Sequence, residues 1–150
     1  SPIITSTRYN NVKSAADTFI SSNELNGSAA REWLYQEWVY FLRNVSDSIT
    51  YQQMALLDKD FRLSNSGNSE ILFEWLMLSV KHDYTPAYGR LEKFLKTVGR
   101  RKFIAPLYQA MDNNPKLSKR ARSIYSAARP AYHFVAINSI DKILNVSYSE

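Results

Sequence analysis

The chain has 150 residues, 45% hydrophobic and 22% charged, with a net charge of +5, a pI near 9.4 and no cysteine. That length and composition suit one globular domain with a sizeable core. They exclude a disulfide framework and a thiolate metal site, and no apolar run reaches membrane-spanning length.

Only 4 Gly and 5 Pro are present, so turns are few and long helices are favoured over many short strands. Residues 1–9 lack periodicity and read as a linker or interdomain arm. The opening Ser1, in place of Met, suggests a processed or excised piece. Residues 10–150 read as a single helical domain. A helix is expected from Asn10, with Val12, Ala15, Ala16 and Phe19 on one face. Asn23 to Gly27 breaks it, and Ser28 is placed to cap a second helix through Ala30, Leu34, Trp38 and Phe41. Thr50 followed by Gln53 is a capping-box pattern that opens a third helix through Met54, Leu57 and Phe61. Asp58 and Asp60 read as solvated charges around that helix end.

Ser64 to Asn68 is the clearest loop. Ser69 then caps a segment to Val80 that is apolar nearly all round, the pattern of a helix buried on most sides. Thr85-Pro86 is an N-cap with Pro at the first helical position. Leu91, Phe94, Leu95 and Val98 form an inward stripe, and Gly99 suits a left-handed stop. A helix over Phe103 to Met111 tolerates Pro106 in its first turn. Ser118 caps another helix through Tyr125, ended by Pro130, and one short helix is expected between Ala131 and Leu144. Seven or eight short helices with tight connections predict stacked antiparallel pairs, a solenoid-like all-α array.

Chemistry is scarce. A zinc-peptidase motif needs His-Glu-x-x-His, because residues four apart on a helix share a face. This chain has only His82 and His133, far apart and without Glu neighbours. His82 reads as an exposed residue at a helix end and His133 as partly buried and structural. There is no nucleophile elbow and no phosphate loop, so no catalytic or metal-ligating residue is assigned. Three matches to the glycosylation acceptor, at Asn26, Asn44 and Asn145, are of a kind common by chance. Between Lys81 and Pro130 stand twelve Lys or Arg against three acids. The bland account is a set of solvated helix faces. The sharper one is an anion site at Gly99-Arg100-Arg101-Lys102, where a helix start adds free N–H groups to the side-chain charge. The aromatic residues fall mostly on the apolar stripes, and no recognised nucleic-acid motif stands out.

Three runs resemble the C-terminal domain of the leukotriene A4 hydrolase and aminopeptidase family. They are Asn68-Ser69-Glu70-Ile71-Leu72-Phe73-Glu74-Trp75-Leu76, Gly99-Arg100-Arg101-Lys102-Phe103-Ile104-Ala105-Pro106-Leu107-Tyr108, and Tyr125 through Tyr132-His133-Phe134-Val135-Ala136. Two departures stand out: Phe134 replaces a usual Pro, and Arg101 an apolar residue. The resemblance implies a two-layered, right-handed superhelix of paired helices, armadillo- or HEAT-like. It implies a larger zinc aminopeptidase in which the metal and catalytic groups lie in a catalytic zinc domain, accompanied by an N-terminal β domain of the same polypeptide. The isolated chain is then expected to be inert, and Arg100 and Lys102 take the positions that bind the carboxylate of a peptide substrate. The competing reading is an independent helical-repeat module that binds an acidic protein or nucleic acid through its basic half. Either is expected to be soluble, cytoplasmic or, in a bacterium, periplasmic.

Overall fold

Helix caps set the layout of this computed structural model, which describes residues 5–148. Nine helices run in chain order among them: α1 (Ser6–Ser22), α2 (Gly27–Arg31), α3 (Tyr35–Val45), α4 (Tyr51–Phe61), α5 (Ser69–Lys81), α6 (Tyr88–Thr97), α7 (Arg101–Asn113), α8 (Ser118–Ala128) and α9 (Phe134–Leu144). Short 3-10 turns lie at Leu63–Asn65, Thr85–Ala87 and Arg129–Ala131, and no strand forms among the described residues. No helix is long and apolar enough to cross a membrane.

α1 packs on α3, α3 on α5, α5 on α7 and α7 on α9, while α6 packs on α8. The odd-numbered helices therefore make one layer, and the even-numbered helices carry the chain back. Lys102 in the first turn of α7 meets Glu70 in the first turn of α5. Asn114, just past α7, meets Val80 and Asp83 at the other end of α5. The odd helices thus run parallel, and their N-termini share one edge. This is the two-layered array of helix pairs that the resemblance implies.

The core lies between the layers. Trp75 of α5 is the largest of its fully buried side chains. Its indole N–H donates to Ser64 Oγ at 2.9 Å. Ser64 Oγ donates in turn to Asp58 (2.7 Å), which also accepts from the Ser64 N–H (2.9 Å) and the Tyr84 hydroxyl (2.8 Å). Asp58 is therefore no solvated charge: it ties α4, the loop after it and the turn at Tyr84 to the buried indole. Asp60 is exposed.

Several elements depart from the sequence expectation. α1 starts at Ser6, capped by Thr5, four residues before Asn10; residues 1–4 of the expected arm lie outside the described residues. The second expected helix is two. Asn26, not Ser28, caps α2, and the chain leaves helical geometry before α3, whose first turn is fastened by Glu37 accepting the Leu34 N–H at 3.0 Å. A regular step of four, four and three among apolar residues cannot reveal that interruption, because both pieces point their apolar faces to the same core. Asn68 caps α5 with bonds to the N–H groups of Glu70 and Ile71. Pro86 lies in a 3-10 turn ahead of α6. α6 ends because Val98 turns extended, and no glycine has a positive φ, so Gly99 is not the left-handed stop expected of it. α7 begins two residues earlier than Phe103 and continues to Asn113. Pro106 then sits in its second turn and lacks the N–H that would reach the Lys102 carbonyl.

Candidate functional site: the basic edge of α7

Arg100, Arg101 and Lys102 lie where α7 starts, on the edge shared by the odd-helix N-termini. Arg100 is the N-cap, with φ −72° and ψ 119°, and no side chain caps the helix. α1, α4, α5 and α9 do have side-chain caps, from Thr5, Thr50, Asn68 and His133. Three cations beside the positive end of an uncapped helix are poorly placed for stability. An arriving anion would relieve both the charge and the open N–H groups.

The three cations do not point the same way. Arg100 and Lys102 both lean on the ring of Phe103, with the guanidinium carbon at 5.6 Å and the ammonium nitrogen at 4.7 Å from its centroid. Phe103 is itself buried, against Phe73 of α5 at 5.2 Å and Phe94 of α6 at 6.0 Å between centroids. A ring held on two sides is a rigid post, and cation–π attraction brings both cations to it. Arg101 turns instead to α9, donating from Nε to Ser139 Oγ at 2.7 Å. Lys102 Nζ also donates to Glu70 Oε1 at 2.7 Å, with both side chains substantially exposed. Arg100 has no ion-pair partner among the described residues.

The basic bias counted along the sequence is largely compensated in space. Of the twelve cations between Lys81 and Pro130, seven form ion pairs: Lys81, Lys96, Lys102, Lys116, Arg120, Arg122 and Arg129. Three of the partners, Asp47, Glu70 and Asp141, come from outside that stretch. A window count could not see them.

The histidines exchange the roles expected of them. His82 is half-buried at the end of α5, its Nε2 2.6 Å from the Ser46 carbonyl, which makes Nε2 the donor. His133 is exposed and caps α9, its Nδ1 accepting from the Val135 N–H at 3.2 Å. Among the described residues, no three His, Asp or Glu side chains come together in a way that could hold a metal ion. The donor set of the described residues does not fit zinc.

A family model, leukotriene A4 hydrolase, C-terminal, matches residues 33–144. The chain belongs to that family. Mouse aminopeptidase B is 25% identical over 120 residues, which cover 77% of this chain and 18% of that protein. Leucine aminopeptidase 2 of Yarrowia lipolytica is 31% identical over 85 residues, 56% of this chain and 13% of that protein. The structure of native leukotriene A4 hydrolase from Saccharomyces cerevisiae superposes with a TM-score of 0.82 over 97% of this chain and 27% of the yeast one. At 17% identity, that likeness shows the shared fold. The chain thus spans less than a fifth of the length of these curated relatives.

Sequence reasoning singled out Arg100 and Lys102 but missed Glu70 and Phe103 as their neighbours. Glu70 is 32 residues from Lys102. The signal available was its place in the first turn after Asn68, at the start of a helix two elements earlier.

Proposed function

We propose that this chain is the C-terminal helical domain of a zinc aminopeptidase resembling leukotriene A4 hydrolase. In this reading it helps wall the substrate cavity, with its basic edge supplying the groups that hold a peptide's free carboxylate. The zinc ligands and the catalytic base belong to a catalytic domain of the same polypeptide, which also carries an N-terminal β domain. The isolated chain then cleaves no peptide. The aminopeptidase names of its relatives support an enzymatic parent.

The observation that carries the assignment is the divergence of three consecutive cations. Arg100 and Lys102 share one aromatic post and Arg101 does not. Arg100 offers a planar fork suited to two parallel bonds with a carboxylate, and Lys102 adds a point charge beside it. The rival reading, an independent basic module, loses ground because most of its cations are already paired within the fold.

The test is kinetic, in the full-length polypeptide. Arg100→Ala is expected to lower kcat/KM for short peptides by about ten- to a hundredfold, the worth of a charge-assisted hydrogen bond. The loss should almost disappear for peptides with an amidated C-terminus. Equal loss on both substrates, or none on either, defeats the carboxylate role.

A further inference from the structure

The carboxylate nearest to the cations at this edge belongs to the protein itself. Glu70 Oε1 lies 2.7 Å from Lys102 Nζ, and the Glu70 side chain remains 39% exposed. It stands in the first turn of α5, where the helix dipole favours a negative charge. It also lines a groove of about 460 Å³ that runs over α1 and α3 beside Tyr9, Tyr35, Tyr40 and Arg43. An anion arriving beside Phe103 therefore meets Arg100, which has no ion pair among the described residues, and Lys102, which Glu70 already neutralises, while Arg101 is turned away to Ser139.

We propose that Glu70 is the resident counter-ion of this edge, so that a substrate carboxylate binds first to Arg100 and must compete with Glu70 for Lys102. The proposal rests on the carboxylate-binding reading above and adds a residue and a direction to it. Glu70 is not needed to place the ammonium, because Lys102 also rests on the Phe103 ring, which is held from behind by Phe73 and Phe94. Its effect on the site is chiefly to subtract charge. A half-neutralised pair of cations holds an anion less tightly than two free ones. That suits a site where the shortened peptide keeps the carboxylate by which its substrate was held and must still leave.

The experiment compares a peptide with its C-terminally amidated form in the full-length enzyme, using a slowly cleaved sequence so that KM reports binding. Glu70→Gln keeps the shape and removes the charge. It is expected to raise the preference for the free-carboxylate peptide by about two- to fivefold, the range of a partly exposed ion pair, with the change carried by KM. Glu70→Asp, which keeps the charge, should restore most of the wild-type preference. An unchanged preference after Glu70→Gln overturns the proposal. So does a lowered one, which would make Glu70 an orienting group for Lys102. Arg100→Ala, measured alongside, separates the two layers of inference. If it fails to distinguish the peptides, the carboxylate reading itself falls. If it distinguishes them and Glu70→Gln does not, only the counter-ion role is lost.

Discussion

The two ends of α7 use the same residue types in opposite ways. Toward its C-terminal half, Tyr108 enters a cluster where every polar group has a partner. The Tyr108 and Tyr132 hydroxyls meet at 2.9 Å, and Tyr132 donates onward to the Leu95 carbonyl. Arg129 grips Asp141 through two bonds of 3.0 and 2.8 Å, and Tyr125 donates to the same carboxylate at 2.5 Å. At the N-terminal end, Arg100 faces an aromatic ring with no carboxylate of its own. Arg129 is thus fixed by the acid that completes it, Arg100 has no ion pair among the described residues, and Lys102, with both Phe103 and the exposed Glu70, stands between the two.

The largest effect expected from breaking the first region is alkaline unfolding. Burial raises the hydroxyls of Tyr108, Tyr125 and Tyr84 well above the ordinary tyrosine range, and burial together with neighbouring Asp83 raises Tyr88 to about 12. A raised value means the folded state keeps its protons longer than the unfolded chain. The associated stability is intact below about pH 10, where unfolded tyrosine ionises, and is lost as pH rises toward 12 and beyond. The tyrosinate absorbance of Tyr84, Tyr88, Tyr108, Tyr125 and Tyr132 should therefore appear together with the loss of helicity in one cooperative step. Titration of all ten tyrosines near pH 10 with the helices intact would show that the cluster is open to solvent.

Core truncation comes next. Trp75→Ala should cost about 3–5 kcal/mol, because the ring is fully buried and its N–H anchors the Ser64–Asp58 network. Chemical denaturation reads this directly, and a loss under about 1 kcal/mol would mean the ring is not central to the fold. In the tyrosine cluster, Tyr125→Phe removes one hydrogen bond to a charged acceptor and should cost about 1.5–3 kcal/mol. Asp141→Asn also strips Arg129 of its partner, so it should lower the melting temperature further than Tyr125→Phe does. Asp141 is held below the usual carboxylate range by its bond from Arg129 and then that from Tyr125, against the opposing effect of burial. Its contribution is present above about pH 4 and is lost as pH falls through its lowered value, so the gap between wild type and Asp141→Asn should close in acid.

The contrast between the two ends also shows what the sequence could and could not reveal. Apolar stripes, Thr50–Gln53 and the all-round apolar α5 were readable because they depend on residues within one turn of each other. So were the three family runs, and with them the layered all-α architecture. The break between α2 and α3 was hidden by an apolar spacing that continues across it. The buried bonding of Asp58 was hidden because its partners, Ser64 and Tyr84, lie 6 and 26 residues away. At the basic edge, residue type marks all three cations equally, and it is the family resemblance that sets Arg100 and Lys102 apart from Arg101. The fold adds their partners, bringing Ser139 from 38 residues away and Glu70 from 32.

Arg101→Ala tests that separation with the smallest expected effect. Arg101 carries the same charge as Arg100 and lies one residue away, so a purely electrostatic edge would treat the two alike. In the fold, its guanidinium is turned to Ser139 on α9, in the turn after the exposed Phe134 and Val135. What remains is a long-range attraction for anions, screened beyond about 8 Å at physiological ionic strength. kcat/KM for free and amidated peptides should therefore stay within about twofold of wild type, and any residual preference should fade as salt is added. The Arg100→Ala effect should persist at the same salt concentration, because direct hydrogen bonds do not screen as distant charges do. A loss in Arg101→Ala that matches Arg100→Ala and shares its dependence on the free carboxylate would show that the edge acts as a diffuse basic patch, and that the Phe103 post selects nothing.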